Sequence, residues 1–205
     1  MRDDLEGARD MLAAALASVE NTSSPYLVVL YFDLAASEAS LGQHDAAHAA
    51  LERARLQRPH MDVYQLAMLR ENEHTLALAR GDRRPRAFYA DQVEDRKARG
   101  ERWALTAARL YLAEYDLRWS EPTARASALA ALEAFAAVPH DEAISHVFLR
   151  SIARRLREAG EDDVAARAEA LLAARLQVGR TGVPAPRGSL PAGAVPVGPT
   201  RPSAR

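Results

Sequence analysis

Apolar residues gather in stretches of about 15 positions, the length of an ordinary helix, separated by short breaks: "NTSSP", "LGQHD", "QRPH", "RGDRRP", "ARGE", "WSEP", "VPHD" and "EAGED". These breaks hold the glycines, prolines and capping residues expected at helix ends. No stretch alternates apolar and polar residues over β-branched side chains, as a strand would. The pattern predicts an all-α fold of about nine helices.

The spacing of the breaks is regular, so the chain reads as a repeat. Leu27, Leu66, Leu105 and Ile144 stand 39 apart, and Leu30, Leu69, Ala108 and Val147 do the same. Gly42 and Gly81 are 39 apart, with Ser120 and Gly160 near the next two steps. Ala8, Ala47, Ala87, Ala126 and Ala165 follow at steps of 39, 40, 39 and 39. The unit predicted is an antiparallel helix pair of about 39 residues. Small residues such as Ala35, Ala47 and Ala54 let two helices cross closely. One pair cannot bury its apolar face alone, so pairs stack.

The pattern stops near Val178. Residues 178–205 hold six of the eleven prolines, five of the ten glycines, four arginines and no acid. That segment predicts a disordered basic tail, separate from a helical domain over residues 1–177. "PVGP" and "PTRP" within it have the P-x-x-P spacing of polyproline II ligands, a spacing common in any proline-rich tail.

Composition narrows the function classes. Alanine, the best helix former, makes up about a fifth of the 205 residues. Net charge is −1, which gives no overall attraction to nucleic acid or anionic lipid. Cysteine is absent, which removes disulfides, thiolate metal sites and cysteine nucleophiles. The start "MRDDLEG" lacks the apolar run of a signal peptide, and "YLVVLYFDLAA" is interrupted by Asp33 and too short to span a bilayer. A soluble cytoplasmic protein is the expectation.

His44 and His48, in "HDAAH", share the spacing of a zinc-peptidase helix. A third ligand is missing, and Asp45 is shorter than the glutamate that serves as base in such enzymes. Asp45 is better explained as an acid in a helix's first turn. No glycine-rich phosphate loop and no G-x-S-x-G is present. Glu71, Glu73, Glu114 and Asp116 read as solvated faces. Arg150, Arg154, Arg155 and Arg157 precede Glu158, Glu161, Asp162 and Asp163, which predicts an ion-paired surface and not an anion site. Trp103 and Trp119 read as core or hairpin anchors. No metal, no cofactor and no catalysis are expected.

Residues 27–59 resemble the tetratricopeptide repeat superfamily. Tyr31 stands at its tryptophan position, Leu34 and Ala35 at its Leu-Gly/Ala pair, and Gly42 at its turn glycine. Ala47, Leu51, Ala54 and Pro59 match its small, aromatic, small and closing-proline positions, while Glu38 departs from its tyrosine. "GEDDVA" at residues 160–165 and "DDLEGA" at 3–8 are similar to its turn, but the helix over 86–100 fits poorly, with Asp91 and Glu94 where small or apolar residues belong. Units near 39 residues are similar to those in sensor arrays of large bacterial signalling regulators.

The resemblance implies a right-handed superhelix whose first helices line a concave groove. Carried over, its groove positions fall on Val29, Phe32, Ala36, Met68, Glu71, Leu78, Leu110, Glu114, Leu117, Arg118, His146, Leu149, Leu156 and Arg157. Such a groove implies a scaffold for an apolar or amphipathic segment of a partner protein. The alternative is a regulatory or sensor module of a bacterial signalling or transcription system that binds a small effector. The lysine and asparagine clamp of chaperone adaptors is absent. The first helix, with Leu5, Met11, Leu12 and Leu16, matches a second helix lacking its partner, which predicts a two-fold homodimer covering that face.

Overall fold

The computed structural model describes residues 5–20, 22, 26–139 and 143–181. Among them the chain forms α1 (Leu5–Val19), α2 (Leu27–Ser40), α3 (His44–Leu56), α4 (Val63–Arg80), α5 (Arg86–Ala98), α6 (Arg102–Arg118), α7 (Ala124–Ala137), α8 (Ala143–Glu158) and α9 (Asp162–Thr181), with a 3-10 turn at Arg58–His60 and no strand. Helix α9 passes the composition break at Val178 and ends at Thr181; the rest of the tail lies outside the described residues.

The repeat is visible in its turns. Gly42, Gly81, Ser120 and Gly160 all take positive φ, at 76°, 85°, 52° and 80°. Each follows the first helix of a pair, and each turn closes in the same way. The amides of Gln43, Asp82, Glu121 and Glu161 donate back to the carbonyls of Glu38, Ala77, Asp116 and Leu156, every bond at 2.8 Å. The amides of Gly42, Gly81, Ser120 and Gly160 donate to Ala39, Leu78, Leu117 and Arg157 at 3.0–3.3 Å. This double closure satisfies the last carbonyls of the helix and needs a residue tolerant of the left-handed region.

The alanine column holds only in part. Ala47 and Ala165 are fully buried, but Ala87 and Ala126 are exposed. The cause is turn length. Three residues separate α2 from α3 and α8 from α9, whereas five separate α4 from α5 and α6 from α7. Two extra residues delay the second helix. The buried set Ala47, Ala50, Leu51 and Ala54 of α3 therefore recurs in α7 as Ala128, Ala131, Leu132 and Phe135.

Helices α2 and α3, α6 and α7, and α8 and α9 pack as hairpins. Helix α5 departs from the pattern. It packs along α6 and meets α4 near its end, through the Arg96–Glu71 ion pair, and near its start, where the Phe88 ring stacks on His74 at 3.5 Å and Tyr89 Oη donates to the His74 carbonyl. A buried carboxylate holds it there. Asp116 accepts from Arg86 Nε at 2.6 Å and Nη2 at 2.7 Å, and from the hydroxyls of Thr123 and Ser127. Burial pushes the Asp116 carboxyl up, and these donors outweigh it, leaving the group below its ordinary range.

The first helices, α2, α4, α6 and α8, form the inner layer. Helix α6 packs on α8 and α2 on α4, and α2 also touches α8, so the first and fourth inner helices meet. Contact between α4 and α6 is the sparsest of these. Helix α1 covers α2 with Leu16, which is buried.

Candidate functional site

The sparse junction of α4 and α6 leaves a cavity of about 1000 Å³. Small residues of α2 open it: Ala35, Ala36, Ser37, Ala39 and Ser40 all lie in its wall. Helix α4 adds Tyr64, Met68, Glu71, Asn72, Thr75 and Leu76, and α6 adds Arg102, Trp103, Ala104, Ala107 and Tyr111. Ala8, Met11 and Leu12 of α1, Phe32 of α2, Leu51 of α3 and Ile144 of α8 complete the apolar lining. Met11, Tyr64 and Trp103 remain exposed at 73%, 71% and 49%, although large apolar side chains gain from burial.

One ion cluster lies in the cavity's wall. Arg96 of α5 places Nη2 3.2 Å from Glu71 Oε2 and Nη1 2.6 Å from Glu101 Oε2. Burial raises the Glu71 carboxyl, and the Arg96 charge offsets only part of that. Asp33 lines the same cavity with no hydrogen bond or ion pair; it is exposed, and partial desolvation raises its pKa. Arg102 is exposed and makes no ion pair.

Of the groove positions carried over from the resemblance, the structure brings Phe32, Ala36, Met68 and Glu71 to this cavity. Leu78, Leu110, Leu149 and Leu156 are core, as are the buried Glu114 and His146. Leu117 packs half-buried against that core. Val29 is exposed outside the cavity. Arg118 and Arg155 both reach Glu114 Oε1, at 3.1 and 3.2 Å, while Arg157 lies outside and pairs with Glu169. These positions turn inward because contact between α2 and α8 closes the far side of the layer, leaving no continuous concave face.

Several expectations need correction. Glu114 and Asp116 are fully buried and ion-paired, not solvated. Among the arginines near the end of α8, Arg154 and Arg157 are ion-paired at the surface as expected, whereas Arg155 turns inward to Glu114. Trp119 does anchor a turn, its ring 4.4 Å from Tyr115, but Trp103 stands at the cavity. The apolar face of α1 is divided between α2, through Leu16, and the cavity, through Met11 and Leu12. Sequence reasoning missed Asp33, Arg96, Glu101 and Trp103. The run of small residues in "AASEAS" was the available signal for the space beside α2.

His44 begins α3, as the repeat frame requires, and His48 lies 3.8 Å from Glu52. Among the described residues no three histidines and carboxylates are grouped to hold a metal ion. None of the described helices is long and apolar enough to cross a membrane. No protein-family model matches the chain, and neither a curated protein nor a solved structure matches it. The repeat therefore stands on the chain's own period and turn geometry.

Proposed function

We propose that this chain is a non-catalytic binding module of tetratricopeptide-like repeats, which receives an apolar or amphipathic segment of a partner protein in the cavity beside α2, α4 and α6. The observation that carries this reading is a largely apolar cavity of about 1000 Å³ whose lining residues Met11, Tyr64 and Trp103 stay exposed. A helix about 10 Å wide fills that volume with roughly two and a half turns. Helix-in-groove recognition uses apolar anchors at this spacing, with polar groups to fix register. Here Asp33, Asn72 and the Arg96 cluster supply the polar groups.

A second reading, a regulatory module binding a small effector, is favoured by the contact between α2 and α8. It closes the far side, and the volume sits at the upper end of the range of about 300–1000 Å³ found for ligand pockets.

Capture from the source cell tests both. The wild type is compared with Ala36→Trp/Ala104→Trp, which fills the cavity, and with Ala126→Trp on the exposed outer face. The expected result is one protein retained by the wild type and the outer variant and lost from the filled one. Equal capture by all three removes the cavity as the site. A small molecule co-purifying with the wild type, and absent from the filled variant, decides for the effector.

A further inference from the structure

We propose that residues 182–191 of this same chain, "GVPAPRGSLP", occupy the cavity when no partner is bound, so that the protein carries its own competitor. The inference rests on the partner-binding reading of the cavity, and three observations carry it.

The first is where the described chain ends. Helix α9 runs antiparallel to α8: a turn at Gly160 joins them, and Arg157 pairs with both Asp162 and Glu169. Helix α9 has 20 residues and α8 has 16. At about 1.5 Å per residue, α9 extends roughly 6 Å past the start of α8. That start carries Ile144, a wall residue of the cavity. Ten further residues reach up to about 33 Å, ample to enter from there.

The second is complementary chemistry. The segment holds Pro184, Pro186 and Pro191 with Val183 and Leu190. Proline fixes φ, so such a segment loses little entropy on docking, and proline-rich ligands bind against aromatic walls. The cavity presents Phe32, Tyr64, Trp103 and Tyr111.

The third is charge. Residues 182–205 carry three arginines and no acid, which leaves residues 1–181 at −4 out of the total of −1. Around the cavity three carboxylates, Asp33, Glu71 and Glu101, face two arginines, Arg96 and Arg102, and the exposed Asp33 makes no ion pair. This net negative lining, with an unpaired carboxylate at Asp33, favours a cationic occupant. Arg187, between Pro186 and Leu190, is the cation that this segment brings.

The full chain tests this directly. It has no cysteine, so an introduced pair reports one contact. Ser37 lines the cavity one helical turn from Asp33, and Ser189 lies two residues past Arg187. Disulfide formation by Ser37→Cys/Ser189→Cys, driven by oxidised glutathione in dilute protein, is compared with Ala136→Cys/Ser189→Cys, whose first site is exposed on the outer helix α7. The expected rate is at least tenfold faster for the cavity pair. Asp33→Arg should bring it down to the outer pair's rate, and Asp33→Arg with Arg187→Asp should restore it. Circular dichroism confirms that each variant keeps its helix. Equal rates for the two pairs, or a rate indifferent to Asp33→Arg, overturn the proposal. Neither result touches the partner reading, which is decided by capture of another molecule. Loss of that reading in turn leaves a fast, charge-dependent link standing.

Discussion

The guanidinium of Arg118 lies so close over Gly81 that a β-carbon on the glycine would sit 2.7 Å from its Nη1. The arginine is not free to leave. Its Nε donates to the buried Glu114 at 3.1 Å, and its Cζ lies 5.8 Å from the centre of the Trp119 ring. The turn of the second repeat is thereby fitted against the end of α6, in the third.

Gly81→Ala should therefore cost more than Gly42→Ala, though both glycines take positive φ and no atom crowds Gly42. The left-handed conformation alone costs an alanine about 1–2 kcal/mol. Displacing Arg118 from Glu114 should add roughly 1 kcal/mol at Gly81. Denaturant unfolding of both variants, repeated in an Arg118→Ala background, checks this. The excess at Gly81 should vanish when the arginine is gone.

Ser120 occupies the same turn position without being glycine. It is the only non-glycine with positive φ among the described residues, and it is exposed. Ser120→Gly relieves that strain and should stabilise the protein by about 0.5–1 kcal/mol. The melting temperature should rise by roughly 1–4 °C for a chain of this size.

Helices and period were legible because a stacked repeat puts the same demands on the same steps: large aliphatics inside, positive φ at the turn. Register within α5 and α7 was not. Two added turn residues move the buried face by two positions, and alanine is common enough to supply a false column at Ala87 and Ala126. The curvature was also hidden. It depends on α2 meeting α8, residues over a hundred positions apart, and no local pattern encodes that. Hence groove positions such as Leu110 and Leu149 lie in the core, and the cavity draws on Asp33, Arg96 and Trp103.

The register correction is itself testable. Ala128→Trp places a large ring at a fully buried crossing and should cost roughly 1–3 kcal/mol or more through overpacking, as should Ala47→Trp. Ala126→Trp, on an exposed position, should shift the melting temperature little. The reverse order for residues 126 and 128 would restore the simple alanine column.

His74 should make the fold acid-sensitive. Burial lowers its pKa, and the charges of Arg84 and Arg70 lower it further against a smaller opposing pull from Glu73. The folded state therefore binds its proton less tightly than the unfolded state. Its contribution is complete above the ordinary value near 6.5 and is lost as pH falls through the folded value. Asp33 and Glu71, both raised, act in the opposite sense and are common to wild type and variant. His74→Phe, which keeps the stack on Phe88, should lose less stability than the wild type between pH 7.5 and 5.5. Calorimetry at the two pH values gives the difference.

Arg96 joins what packing leaves apart. Helices α4 and α6 share few contacts, yet Glu71 on α4 and Glu101 just before α6 both pair with this one guanidinium. All three side chains are partly exposed, so solvent screens the pairs and the expected cost of Arg96→Met is modest, about 1–2 kcal/mol. Most of that cost should come from leaving Glu71 unpaired, because burial already disfavours its charge. Glu71→Gln in the Arg96→Met background should therefore recover at least half of the loss. Hydrogen exchange should show where the effect acts: faster in α4 and the first turns of α6 for Arg96→Met, unchanged in α8 and α9. Uniform acceleration across the chain would mean that the ion cluster supports global stability. Protection left intact in α4 and α6 would mean that apolar contacts alone hold the cavity's walls.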